Sequence, residues 1–73
     1  MKDRLNVIAT LRTLGAQVAY NRGDDLIMTL NGAKILIPSH KRIPDGSLAA
    51  IMRQVERGGI PRQHFKVALR SGH

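Results

Sequence analysis

The residues best suited to chemistry are few: the run His40-Lys41-Arg42, the adjacent carboxylates Asp24-Asp25 behind Gly23, and the pair Arg53 and Arg57. Imidazole is the side chain best suited to give and take protons near neutral pH, so His40 is a candidate acid–base group. Lys41 and Arg42 beside it are suited to clamp a phosphate and to offset charge that develops on it. An aspartate is a weaker base, and it is ionised too fully at neutral pH to serve as an acid. Two neighbouring carboxylates can raise one pKa or share a Mg²⁺ with bound phosphate, but Asp-Asp beside a glycine is also ordinary turn chemistry facing water. Arg53 and Arg57 stand four residues apart in a helical stretch, share a face, and can straddle backbone phosphates. Arg22, next to the glycine turn, is a further basic candidate for RNA contact. His64 lies beside Phe65 and is peripheral, and His73 carries no argument.

Other chemistries lack their residues. The sequence holds no Cys, no closely spaced His pair and no carboxylate triad, so no structural metal is expected. Neither a P-loop nor a dinucleotide-binding glycine fingerprint occurs, which removes a nucleotide-hydrolysing domain on motif grounds. No cofactor is expected.

Twelve Lys and Arg stand against five Asp and Glu, a formal charge of +7 in 73 residues. The excess is uneven: residues 1–33 hold four basic and three acidic groups, and residues 34–73 hold eight and two. The C-terminal half therefore carries +6 of the total, through Lys34, Lys41, Arg42, Arg53, Arg57, Arg62, Lys66 and Arg70. A field of one sign on so small a body attracts phosphates and steers their approach. With only Tyr20 and Phe65 aromatic, recognition by shape and charge fits better than stacking of splayed bases.

The elements that hold these groups follow from periodicity and punctuation. Leu5, Val7, Ile8, Leu11 and Leu14 suggest a helix over 5–14, stopped by Gly15. A short strand is expected over 16–20, then a turn over Asn21-Arg22-Gly23-Asp24-Asp25, then a strand over 26–30. Asn31-Gly32 between apolar runs is the signature of a type I′ hairpin, and 34–38 is the returning strand. Ser39 to Ile43 reads as a basic loop. Pro44 can open a helix whose Leu48, Ile51, Met52 and Val55 recur at helical spacing, and Gly58-Gly59 ends it. Ile60-Pro61 begins a short helical extension carrying Phe65 and Leu69, and the tail from Ser71 to His73 is expected to fray. The result is an α+β domain over 1–73, a two-layer α-β-β-β-α sandwich with a three-stranded antiparallel sheet. Its expected core is Leu5, Ile8, Leu11, Leu14, Ile35, Ile37, Leu48, Ile51, Met52 and Val55. No apolar run is long enough to cross a bilayer, and the start Met1-Lys2-Asp3-Arg4 does not read as a signal peptide, so a cytoplasmic location is expected.

The stretch Ile37-Pro38-Ser39-His40-Lys41-Arg42-Ile43-Pro44-Asp45-Gly46-Ser47-Leu48, continuing through Ile51, Gln54 and Val55, resembles HicA-type toxins. Those proteins show a V/I-P-x-H strand end, a short basic loop, and G-T/S-L-x-x-I-L-x-Q-A on a helix. Gly59-Ile60-Pro61-Arg62-Gln63-His64-Phe65 is similar to the family's G-I-x-x-x-x-F ending, and the resemblance spans about residues 5–66. It implies a fold like the double-stranded-RNA-binding domain. It also implies a metal-independent endoribonuclease, an mRNA interferase of a type II toxin–antitoxin pair that a HicB partner neutralises. The family's active histidine follows the glycine turn in a G-S-H pattern; here Gly23-Asp24-Asp25 puts Asp25 in that place. Asp25 and His40 are thus the catalytic candidates, and Lys41, Arg42, Arg53, Arg57 and Arg22 the RNA-binding ones.

The expected function is an HicA-like RNA-binding toxin with an altered active site. The alternative on the same fold is a non-enzymatic module that binds nucleic acid or inhibits a protein, for example a phage-encoded one. Expected partners are RNA and a HicB-like antitoxin or other acidic protein, with no membrane and with homo-oligomerisation left open.

Overall fold

The computed structural model describes residues 2–71. The tail expected to fray therefore lies outside the described residues at Gly72 and His73, while Ser71 closes a helix. The chain runs β1 (Lys2–Asp3), α1 (Arg4–Thr13), β2 (Gln17–Arg22), β3 (Asp25–Leu30), β4 (Ala33–Ile37), β5 (Arg42–Ile43), α2 (Asp45–Arg57) and α3 (Arg62–Ser71). The fold is α+β, with a three-stranded antiparallel sheet in the order β2-β3-β4 and a separate two-stranded ladder, β1-β5. That ladder, not expected from the sequence, pairs Lys2 with Ile43 and Asp3 with Arg42.

Local chemistry accounts for most boundaries. The Asp3 carboxylate accepts the Leu5 and Asn6 amides at 2.9 and 3.4 Å, which caps α1. Pro44 is the N-cap of α2 and makes no side-chain cap bond, so the helix begins one residue after the proline. At the far end, Ile60 N–H returns to Val55 and Gly59 N–H to Glu56, a Schellman closure with Gly59 left-handed at φ 89°. Asn31 and Gly32 take φ of 50° and 87°, as a type I′ hairpin requires.

The β2–β3 connection is tighter than the expected five-residue turn. Only Gly23 and Asp24 form it, and Gly23 alone has positive φ, at 61°, matching a type II′ hairpin. Arg22 and Asp25 are consequently strand residues, directly opposite each other. A register shift between Val18 and Tyr20 leaves Ala19 as a bulge in β2.

The core joins Met28 and Leu30 of β3 and Ile35 and Ile37 of β4 to Val7 and Leu11 of α1, to Leu48, Ile51 and Val55 of α2, and to Phe65 and Leu69 of α3. Ala16 and Ile43 complete it, and the helices lie on one side of the sheet. Three corrections follow. Leu5 is 73% exposed, and Val7 takes its place in the core. Two residues span about 200° of helix, so a face centred on Val7 and Leu11 turns Leu5 outward. Ile8, Leu14 and Met52 are half-buried against the core and do not lie inside it. The C-terminal extension is a ten-residue helix that packs against both α1 and α2 and buries Phe65 completely.

Candidate nucleic-acid interface

The basic loop is held in place by one arginine. Arg4 Nε donates to the Pro38 carbonyl at 2.8 Å, and the Arg4 amide donates to the Lys41 carbonyl at 3.0 Å. The β1–β5 ladder continues directly from this second bond and fixes Arg42 opposite Asp3. A short connection between a strand and a helix is thereby pinned at both ends, and His40, Lys41 and Arg42 are exposed on it. Lys2, also exposed, pairs with Ile43 in the same ladder. The basic cluster is therefore larger than the sequence suggests, since the N-terminal segment contributes Lys2 and the tether Arg4. The sequence carries no signal of it, because a two-residue ladder has no periodicity to detect.

The two catalytic candidates come to one end of the sheet. Leu26 pairs with Ile37, so Asp25 and Pro38 stand one step further along the same strands, and His40 follows two residues later. Alternation along β3 puts Leu26, Met28 and Leu30 toward the helices and Asp25 on the opposite face. Asp25 is half-buried, His40 exposed. Among the described residues the His40 ring has no hydrogen-bond or ion-pair partner, so nothing orients it as the second partner orients a histidine in a hydrolase triad. No group of three or more His, Asp or Glu side chains suited to a metal is formed among the described residues.

Arg53 and Arg57 form a second basic region. They point away from the buried stripe Leu48-Ile51-Val55 and are exposed. At 1.5 Å per residue, they lie about 12 and 18 Å along α2 from the end where the basic loop enters. Arg22 is exposed at the last position of β2 and faces Asp25 in register. Arg62 bonds Glu56 at 2.9 Å and is partly neutralised, in a surface pair worth at most about 1 kcal/mol. His64 is exposed on the first turn of α3, away from the loop in sequence and in element.

Gln54, which sequence reasoning took only as part of a motif, has a structural role, because its Oε1 accepts the Leu36 amide at 2.9 Å. That bond seats α2 along the free edge of β4, which also fixes where Arg53 and Arg57 project. Among the described residues, no helix is long and apolar enough to cross a membrane. No family model, no curated protein and no solved structure matches the chain.

Proposed function

We propose that this chain binds RNA through its basic surface on a frame like the double-stranded-RNA-binding domain, as an HicA-like protein of a type II toxin–antitoxin pair with an altered active site. The observation that carries the reading is the Arg4-tethered loop with His40, Lys41 and Arg42 exposed at the same sheet end as Asp25. The order helix, three-stranded meander, helix supports the frame. Asp25, first in its strand after a two-residue glycine turn, is the residue that the resemblance sets in place of the family's histidine. The protein acts in the cytoplasm, where mRNA is available.

One observation favours a non-enzymatic version of the same protein. His40 has no orienting partner among the described residues, and Asp25 faces Arg22. Such a module keeps the phosphate contacts and gives up the chemistry, as an RNA-binding or inhibitory protein, for example a phage-encoded one.

The test is RNA affinity against salt. For single strands the logarithmic slope is about −0.7 per phosphate neutralised. Reversing Lys41 and Arg42 to Glu, or Arg53 and Arg57 to Glu, is expected to weaken binding to all sequences alike and to flatten that slope. The two regions stand apart, so their effects on binding free energy are expected to add. Absence of binding at low salt, or binding indifferent to salt, overturns the reading and assigns the basic surface to an acidic protein.

A further inference from the structure

We propose that the outer edge of β2 is a docking surface for a short acidic segment of another protein, which adds to the sheet as a fourth strand. The two edges of the sheet differ. On the β4 side, α2 packs along the strand and Gln54 takes up the Leu36 amide. On the other side, all six residues of β2 are exposed, and among the described residues its backbone bonds only to β3. An edge of this kind is a template for an added strand, with main-chain bonds supplying affinity and alternate side chains supplying selectivity.

Apolar side chains flank the middle of this edge, Val18 beside Met28 on the helix side and Tyr20 beside Ile27 on the open face. Val18 and Tyr20 of β2 are 43% and 48% exposed. Tyr20, Ile27 and Leu36 stand in one row across the three strands, on the face the helices leave uncovered. Ile27 is buried there and Leu36 is 39% exposed, whereas a merely solvated sheet face would alternate to polar groups.

Charge selects the occupant. β2 carries Arg22 and no acid, and Lys34 Nζ lies 5.8 Å from the centre of the Tyr20 ring. Asp24 and Asp25, at the turn end of the edge, offset Arg22 and Lys34, so the field that selects the occupant is that of the whole chain. A second copy of a chain with formal charge +7 would bring like charge to the edge. A nucleic acid has no strand backbone to continue the ladder, and a lone tyrosine offers it little stacking. An extended peptide with acidic and apolar residues in alternation answers both the edge and the field. The bulge at Ala19 adds local twist, which keeps the added ladder short and discourages further stacking.

Arg22 ends this edge beside Asp25, but Val18 and Tyr20 lie outside the candidate RNA site, so a test at those two residues is independent of RNA binding. The isotope-labelled full chain is titrated with a synthetic peptide of about eight residues alternating Val and Glu, long enough to span β2, and with its Val–Lys counterpart. The expected result is that the acidic peptide shifts and protects amides of residues 17–22, while the basic one does not bind. Val18→Thr with Tyr20→Thr, both surface changes that keep β propensity, is expected to weaken the peptide roughly fivefold while RNA affinity stays within about twofold. Shifts centred on Lys41, Arg42, Arg53 and Arg57 would overturn the proposal as unspecific charge attraction. So would equal binding of both peptides, no binding, or concentration-dependent self-association through residues 17–22.

Discussion

Asn31 Nδ2 donates a 2.6 Å hydrogen bond to the Gly58 carbonyl, joining the β3–β4 turn to the C-terminal end of α2. The contact is close enough that a Cβ at Gly58 would meet the Leu30 carbonyl oxygen at 2.8 Å and Leu30 Cγ at 2.9 Å. Gly58 has φ −79°, which any residue adopts, so Gly58→Ala tests contact and not backbone freedom. It is expected to cost about 1–3 kcal/mol by overpacking. Asn31→Gly keeps the left-handed turn and loses the bond, at about 0.5–1.5 kcal/mol. The check is the urea midpoint at unchanged slope, and the double variant is expected to be non-additive because the two sites touch.

The burial of Phe65 makes α3 part of the core. Phe65→Ala is expected to cost about 3–5 kcal/mol, comparable with the whole stability of a domain near the lower limit of size. Leu5→Ala, by contrast, is expected to stay within about 0.5 kcal/mol, since the side chain is 73% exposed. Thermal unfolding followed by far-ultraviolet circular dichroism separates the two. A Phe65→Ala protein that unfolds like the parent would remove α3 from the core.

Arg4 sets the order of the basic loop. Arg4→Ala is expected to speed exchange of the residue 4 amide, which donates to the Lys41 carbonyl, by removing a net contribution of about 1 kcal/mol. Arg4→Lys keeps the charge and loses the geometry of the guanidinium, so it is expected to resemble Arg4→Ala in exchange. Unchanged exchange in both variants would show that the β1–β5 ladder suffices alone.

The proposed chemistry is tested at Asp25. The native protein is expected to cleave RNA poorly or not at all without added metal. Asp25→His places an imidazole on the sheet face beside the basic loop, and acid–base help of roughly 10²- to 10⁴-fold is expected to raise cleavage clearly above background. If the native protein already cleaves, His40→Ala is expected to abolish cleavage while RNA binding persists. Robust metal-free cleavage that survives His40→Ala would rule out both residues.

Much of the frame was legible because it rests on short-range rules. Asn31-Gly32 dictates its own turn, the Leu48-Ile51-Val55 spacing gives α2 a single buried face, and Gly15 and Gly58-Gly59 end their helices as expected. Charge was equally plain, since +7 follows from counting and needs no coordinates. The turn at Gly23-Asp24 is shorter than its sequence suggests, because Arg22 and Asp25 are polar residues whose strand state depends on pairing with each other.

What the tertiary structure alone decided is which of several locally equivalent faces is inside. Leu5 and Val7 are both apolar and two residues apart, and only the packing of α1 against α3 and the sheet chooses Val7. The same holds for Phe65, whose spacing with Leu69 is consistent with a surface turn as well as a buried helix. The candidate site shows the limit most clearly. His40, Lys41 and Arg42 are adjacent in sequence, but their presentation depends on Arg4, 34 residues upstream of Pro38, and on a ladder of two residue pairs. Contacts of that kind arise from chain closure and carry no periodic signal, so composition and spacing determined the basic character of the chain, and packing determined where that charge is held.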